Sequence, residues 1–196
     1  MMNQQSQHVR FRVETVSLES ESARRLIVHF KDELLAANPK LENYSWTISA
    51  ADFTLPRGTF IVVYAQIVFP DGTEHEFEAG CGAVRKIKIG EMDAKMLGFT
   101  LDDVRLTSKE QTSFVGELKR MFVAKKFRGN RIGSLIVNSL KKIAKEECGI
   151  SLLLLETATY LPDAIKLYEK NGFQKIPLYG DAYVRADEAV CMKMSV

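Results

Sequence analysis

Two hydrophobic patterns alternate along this chain, and together they predict a layered α/β fold. Short stretches rich in β-branched and aromatic residues predict strands. These stretches are residues 11–16, 60–69, 75–84, 118–123, 152–157, 173–176 and 190–194. Between them, apolar residues recur three and four positions apart, which predicts amphipathic helices. The predicted helices are 20–37, capped by Ser20 or Ser22, 129–148, with Gly149 as C-cap, and one that begins at Pro162 and ends at Asn171-Gly172.

The pattern is weaker in three places. Residues 1–9 are polar, and we expect them to form a flexible N-terminus. Residues 44–56 fit a short helix or an irregular segment equally well. Residues 85–115 mix acids and bases without a clean period, which indicates a long excursion with a short helix near 100–107. We therefore expect one domain over residues 10–196 that carries this excursion.

Composition narrows the class of protein. The chain has 196 residues, 46% of them hydrophobic and 27% charged, which is typical of a soluble globular domain. Its net charge of only +2 argues against a nucleic-acid partner. No apolar run reaches membrane-spanning length, and the N-terminus lacks the apolar core of a secretory signal, so we expect no membrane partner. Three widely spaced cysteines favour a reducing cytoplasm, and no Cys or His spacing suggests a metal.

The strongest chemical signal is a basic, glycine-containing turn before the second predicted helix. It reads Arg128-Gly129-Asn130-Arg131-Ile132-Gly133. A helix start offers unpaired backbone N–H groups and the positive end of the helix dipole, and both favour phosphate. The two glycines remove side chains where a backbone must approach a ligand closely, and the two arginines add charge-assisted contacts. By itself, this turn fits a solvated basic helix start equally well.

The turn belongs to a series of segments that resembles the GNAT superfamily of acyl-CoA-dependent N-acyltransferases. In the superfamily's phosphate motif, Gln/Arg-x-x-Gly-x-Gly/Ala, Arg128 and Gly133 fill the first and last positions, and Arg131 replaces the middle glycine. Other matching segments are LPRGTF at 55–60, AGCGAV at 79–84, ELKRMFV at 117–123, KLYEKNGF at 166–173 and AVCMK at 189–193. The resemblance implies a GNAT-like mixed sheet of six to seven strands, flanked by helices, in which the fourth and fifth strands splay apart.

The resemblance also implies an acyl donor and the residues that hold it. In these enzymes acetyl-CoA and an amine bind together, and the amine attacks the thioester directly. By resemblance, the pantetheine arm lies beside a bulged fourth strand at Met121, Phe122 and Val123, where the N–H of Met121 is the first candidate to support the thioester oxygen. The residues implied for the pyrophosphate are Arg128, Gly129, Asn130, Arg131, Ile132, Gly133 and Ser134.

Three side chains match catalytic positions of the superfamily, and each has a plainer alternative. An attacking amine must lose a proton, and Glu117 or Glu156 is the expected base. Glu117 is slightly preferred, because it lies on the same strand face as Met121 if no bulge intervenes. Tyr168 matches the tyrosine that protonates the leaving thiolate. The alternatives are a charged strand end for Glu117, an ion pair for Glu156 and a core aromatic for Tyr168.

The expected activity is acetyl transfer to a primary amine of a small molecule or a peptide. A non-catalytic acyl-CoA-binding module on the same fold is the alternative. Asp181, Asp187 and Glu188, set against Arg185, favour a cationic acceptor, whereas Arg57 favours one that bears a carboxylate. For residues 85–115 three alternatives are open: a lid, a homodimer contact, or neither of these roles.

Overall fold

The computed structural model describes residues 8–43, 49–87 and 115–196. Within these ranges the chain forms seven strands and three α-helices. The strands are β1 His8–Thr15, β2 Gly58–Val68, β3 Glu74–Ile87, β4 Val115–Val123, β5 Leu152–Ala158, β6 Gln174–Ile176 and β7 Ala189–Ser195. The helices are α1 Glu21–Ala37, α2 Ile132–Glu146 and α3 Pro162–Lys170. This content confirms the predicted α/β class.

One sheet runs through the molecule in the strand order β1-β2-β3-β4-β5-β7-β6. All neighbouring strands are antiparallel except β4 and β5, which are parallel. That parallel pair is short, since only Val115–Leu118 pairs with Leu152–Leu155. Beyond these residues the two strands separate, and the sheet opens at their carboxyl ends. The predicted mixed sheet with a splayed fourth and fifth strand is therefore confirmed.

A bulge interrupts β4 where it leaves β5. The register with β3 shifts there, so that Arg120 and Met121 together lie opposite Gly82. Arg120 takes the left-handed backbone conformation, with a φ of 55°. An extra residue reverses the alternation of side chains along a strand. Glu117 and Met121 therefore point to opposite faces of the sheet; the bulge that resemblance implied for the fourth strand is present, so the condition for a shared face is not met.

The two faces of the sheet are covered by different elements. On the first face, Ile136 of α2 and Tyr168 of α3 join the main hydrophobic core, against which Met121 also packs. On the second face, Leu26 of α1 packs with Phe60 of β2. A 3₁₀ turn at Gly180–Arg185 covers the β5 and β7 side of that second face. Glu117 of β4 also lies on this second face, where its carboxylate contacts Tyr179.

The start of α1 and the ends of α3 agree with the sequence pattern. The Ser20 side chain accepts a hydrogen bond from the Ala23 N–H at 3.2 Å, which confirms Ser20 as the N-cap of α1. α3 begins at Pro162, where the missing N–H of proline costs no helical hydrogen bond. Its C-cap is Asn171, and Gly172 follows with a φ of 94°. Polar caps and proline thus define these boundaries locally.

α2 is shorter than predicted at both ends. It begins at Ile132 rather than at Gly129, because Gly129 and Arg131 have φ values of 84° and 60°, which a right-handed helix does not allow. Its C-cap is Glu147 rather than Gly149. The three residues before Ile132 are therefore a turn, and the turn ends in the left-handed N-cap residue Arg131.

Three predictions lie at the limits of the described residues. β1 begins at His8, so residues 8 and 9 belong to a strand rather than to a flexible terminus. β3 reaches Ile87 and β4 starts at Val115, which reduces the expected excursion to residues 88–114. The helix expected near 100–107 lies outside the described residues, as do residues 44–48 of the ambiguous segment.

The structure also bears on two expectations from composition. All three cysteines, Cys81, Cys148 and Cys191, are buried and unpaired, so no disulfide joins them. In the ranges that the structure describes, no helix combines the length and the apolarity needed to cross a bilayer.

Candidate active site

The separation of β4 from β5 creates a cleft of about 140 Å³ beside the bulge. β4 contributes Lys119, Arg120 and Met121 to its lining, β5 contributes Glu156, and α3 contributes Tyr168. Apolar side chains of α1 and the last residue of the Gly180–Arg185 turn complete the walls. The cleft thus gathers residues from β4, β5, α1, α3 and the Gly180–Arg185 turn around the gap in the sheet.

Of the two predicted bases, Glu156 lines the cleft and Glu117 does not. The Glu156 side chain is 11% exposed, and Nη2 of Arg185 donates a hydrogen bond to its Oε1. The ion pair that the sequence offered as an alternative role is therefore present. The carboxylate is thus paired with Arg185 in a residue that lines the cleft.

Glu117 lies in a buried cluster of charged and polar groups, with 6% of its side chain exposed. Nε and Nη2 of Arg85 donate to Oε2 at 3.2 and 3.0 Å. Oε1 lies 2.9 Å from Nζ of Lys119 and accepts the hydroxyl of Tyr179 at 3.1 Å. Burial and the adjacent Glu117 charge raise the pKa of the Tyr179 phenol far above its ordinary value, so it remains a donor. Both carboxylate oxygens are satisfied, and Glu117 ties β3, β4 and the residues before β7 together.

Tyr168 is at once a core aromatic and a cleft residue. Its ring packs edge-to-face against Phe173, with centroids 5.7 Å apart, and 6% of the residue is exposed. Burial raises the pKa of the phenol well above its ordinary value, which keeps the hydroxyl protonated. A protonated hydroxyl in a cleft can donate a proton or a hydrogen bond to a reacting group.

The three residues predicted to line the pantetheine arm have different positions. Met121 lines the cleft. The Phe122 ring packs edge-to-face on Phe30 of α1 at 6.3 Å, and the Val123 carbonyl accepts a hydrogen bond from Nε of Arg128 at 3.0 Å. Through their side chains, Phe122 anchors α1 and Val123 packs against the main core.

The predicted phosphate turn presents a run of backbone N–H groups at the start of α2. In the part of the chain that the structure describes, the amides of residues 129–134 donate no hydrogen bond to another backbone group. Nδ2 of Asn130 braces the turn by donating to the Phe127 carbonyl at 3.1 Å. Arg131 is exposed at the N-cap position. Adjacent amides with a nearby cation form a cradle for an anion.

Arg128 braces this turn against α1. Its Nη2 donates to Oε1 of Glu33, and its Nε donates to the carbonyl of Val123. About half of the side chain remains exposed. The first residue of the motif thus connects the phosphate turn both to β4 and to the helix that walls the cleft.

Gly133 lets α2 and α3 pack closely against each other. A Cβ atom at this position would lie 2.8 Å from Cδ2 and 3.1 Å from Cδ1 of Leu167 in α3. The space beside Gly133 is thus filled by Leu167 of α3, which gives the missing side chain a packing reason in addition to the expected approach of a ligand. The Gly133 N–H still belongs to the run of amides described above.

Gly133→Ala is therefore expected to lower the free energy of unfolding by about 1 kcal/mol, because overpacking exceeds the gain in helix propensity. In a Leu167→Ala background the same change should be neutral or stabilising. Urea unfolding of the four proteins of this cycle measures the coupling. An equal cost in both backgrounds would contradict the packing explanation.

Sequence reasoning missed the partners of the two glutamates. Lys119 could have been found, because it follows Glu117 by two positions on one strand face. Arg85 and Tyr179 come from distant segments and carry no local signal. In the sequence, Arg185 is one charge among several in the connection before β7. In the structure, it donates a hydrogen bond directly to Glu156.

The family assignment rests on a match to a family model that covers the middle of the chain. The model of the acetyltransferase (GNAT) domain matches residues 57–175. That range is more than half of the chain, and it contains the phosphate turn, Glu117, Glu156 and Tyr168. The chain belongs to the GNAT acetyltransferase family.

Individual known proteins resemble this chain either over a short stretch of sequence or in their fold. A 58-residue stretch, 30% of this chain and 37% of the relative, is 45% identical to an IAA acetyltransferase of Azospirillum brasilense. The chain spans about a third of the length of the curated relatives it matches. An acetyltransferase structure from Streptococcus agalactiae superposes with a TM-score of 0.58 at 16% identity, over 95% of this chain and 98% of that one. A Bacillus subtilis acetyltransferase in complex with CoA gives a TM-score of 0.54 at 16% identity, over 95% and 99%.

Proposed function

We propose that this protein is an N-acetyltransferase that moves an acetyl group from acetyl-CoA to a primary amine while both are bound. One observation carries the proposal: the gap between β4 and β5 brings a carboxylate, Glu156, and a protonated phenol, Tyr168, to the same cleft. Direct attack of an amine on a thioester needs a group that takes the amine proton and a donor for the departing thiolate, and a carboxylate and a phenol can fill these two roles.

The residues around the cleft fit acetyl-CoA, which supplies the thioester. The amides of residues 129–134 and the Arg131 guanidinium are suited to a pyrophosphate. The bulge takes Arg120 and Met121 out of regular pairing with β3 beside the cleft. A preorganised N–H there would support the thioester oxygen as it gains charge, a contribution of about 3–4 kcal/mol to the transition state.

Glu156 is the stronger candidate for the base. It lines the cleft, whereas the Glu117 carboxylate is occupied by four donor groups and does not. Glu156 would take the proton of the attacking amine, directly or through a water molecule. Tyr168 would donate a hydrogen bond to the departing thiolate, because burial raises the pKa of its phenol and keeps the hydroxyl protonated while making complete proton transfer less favourable.

Acetyl-CoA at 100-fold above its Kd is expected to stabilise the protein by about 2.7 kcal/mol, or roughly 5–10 °C in Tm. Arg128→Ala/Arg131→Gly should lose most of this shift, since it removes both cations of the phosphate turn, and glycine suits the left-handed N-cap position. Thermal unfolding with and without ligand measures the shift for each protein against its own ligand-free form.

Lys142→Gln is the matched control, because Lys142 is an exposed cation of α2 that pairs with Glu146 at 4.0 Å. It should retain the full shift. A folded protein that shows no shift with acetyl-CoA would overturn the proposed donor. Equal shifts in the unmodified protein, the double variant and Lys142→Gln would mean that the pyrophosphate does not bind at the turn.

A further inference from the structure

One wall of the cleft is held by a contact between two segments that lie far apart in the sequence. Asn38 is the C-cap of α1, and a 3₁₀ turn follows it at Pro39–Asn43. Leu34 of α1 and Leu41 of this turn both line the cleft. Nδ2 of Asn38 donates a hydrogen bond to Oε2 of Glu188 at 2.7 Å. This contact, the clasp, joins the end of α1 to the residue that precedes β7.

Asn38 lies between the two leucines and bonds to both of them. Its N–H donates to the Leu34 carbonyl at 2.8 Å, and its carbonyl accepts the N–H of Leu41 at 3.1 Å. Asn38 is only 8% exposed, and its side-chain oxygen accepts the N–H of Lys40 at 3.2 Å. A hydrogen bond to a carboxylate is stronger than one between neutral groups, so the clasp fixes this residue firmly. The position of Asn38 in turn sets the positions of Leu34 and Leu41.

Glu188 connects the clasp to two further walls of the cleft. Its N–H donates to the carbonyl of Arg185 at 2.9 Å, and its carbonyl accepts the N–H of Thr159 at 2.8 Å. Arg185 lines the cleft and bonds to the candidate base Glu156, and Thr159 directly follows cleft residues of β5. The Glu188 carboxylate, 31% exposed, also lies 3.6 Å from Nζ of Lys40. Its side-chain partners both come from the end of α1 and the turn that follows, so this carboxylate is engaged within the protein.

The end of α1 depends on the clasp more than the rest of the helix does. In the part of the chain that the structure describes, Glu188 is the only residue beyond α1 and the turn after it whose side chain forms a hydrogen bond or an ion pair with residues 35–43. Earlier in the helix, Phe30 packs on Phe122 of β4, and Glu33 pairs with Arg128 of the phosphate turn. Loss of the clasp should therefore move the wall that the two leucines form and leave the phosphate turn in place.

We propose that Asn38 and Glu188 are positioning residues for the acceptor amine, because the clasp holds the wall of Leu34 and Leu41 at the distance from Glu156 that the bound amine requires. This inference rests on the proposed function and assigns that wall to the acceptor. The donor is assigned to the phosphate turn and to the bulge of β4, which the clasp does not contact. A displacement of about 1 Å in such a wall is enough to impair productive binding.

The test measures kcat and the KM of the amine by thiol release at saturating acetyl-CoA, with phenethylamine, spermidine and trialanine as acceptors. Asn38→Ala and Glu188→Ala are each expected to raise the KM of the amine at least about 10-fold and to change kcat by less than about 3-fold, as loss of a binding contact predicts. The double variant should lose no more than either single variant, since both remove the same contact. Glu188→Gln keeps an oxygen for Nδ2 of Asn38 and should retain nearly the unmodified KM.

Glu42→Ala is the matched control, because Glu42 is an exposed acid of the same 3₁₀ turn. It should leave kcat and KM unchanged, and every variant should keep the thermal shift with acetyl-CoA. A lower Tm of the alanine variants with an unchanged KM would show a structural role alone and overturn the inference, as would additive effects in the double variant. If the unmodified protein binds acetyl-CoA but releases no thiol with any of the three amines, the proposed function fails and the inference fails with it.

Discussion

Glu156→Gln is expected to lower kcat by about 10²- to 10⁴-fold while acetyl-CoA binding remains intact. Glutamine keeps the shape of the side chain and still offers an oxygen to Arg185, so the cleft should retain its geometry. The substitution removes only the ability of this side chain to accept a proton from the attacking amine. Because the phosphate turn is a separate part of the structure, the thermal shift with acetyl-CoA should match that of the unmodified protein.

The matched control is Glu146→Gln, an exposed glutamate of α2 whose side chain is 59% exposed. Its kcat should not change. Thiol release followed under saturating acetyl-CoA and amine gives kcat for each protein. Full activity of Glu156→Gln would remove Glu156 as the base, and an unmodified protein that binds acetyl-CoA but releases no thiol with any amine would favour the non-catalytic binding module.

Glu117→Leu is expected to lower the free energy of unfolding by about 2–4 kcal/mol, because it leaves Arg85 and Lys119 without their shared counter-ion. The estimate lies below that for a fully buried pair, since the two cations are 31% and 23% exposed. For a chain of this length the Tm should fall by roughly 5–15 °C. Chemical denaturation, checked by thermal unfolding, measures the loss.

Two variants separate charge from shape in this experiment. Glu117→Gln keeps an acceptor for Tyr179 and should cost less, about 1–2 kcal/mol. Glu14→Leu, an exposed β1 glutamate paired with Arg12, should change stability by no more than about 0.5 kcal/mol. If Glu117→Leu retained its stability but lost acetyl transfer, the roles of the two glutamates would be exchanged.

Local chemistry made much of the fold predictable. The strands follow β-branched and aromatic stretches, and Ser20, Pro162 and Gly172 mark the helix boundaries through their own capping and backbone preferences. The splayed strand pair followed from resemblance rather than from any local signal. The start of α2 was predicted too early because the left-handed conformation of Arg131 is unusual for a residue with a Cβ atom.

The candidate site was predictable in its members but not in their arrangement. The bulge at Arg120 decides which face each β4 side chain takes; resemblance implied a bulged fourth strand, but no local sequence pattern predicts it. Glu117 and Glu156 looked equivalent as strand acids, and what distinguishes them is contact with Arg85, Tyr179 and Arg185 from distant segments. Gly133 fitted a ligand motif in the sequence, yet the atom that excludes its side chain belongs to α3.

The separation of β4 from β5 has a consequence for solubility. Each strand that leaves its neighbour exposes an edge, and an open edge invites pairing with a foreign chain. On β4 that edge begins with Lys119 and Arg120 and is bent at once by the bulge, two devices that proteins use to keep edges from aggregating. The charges and the bend beside the cleft thus also protect the exposed edge of β4. Neutralising both cations together should therefore make the protein more prone to aggregate at high concentration.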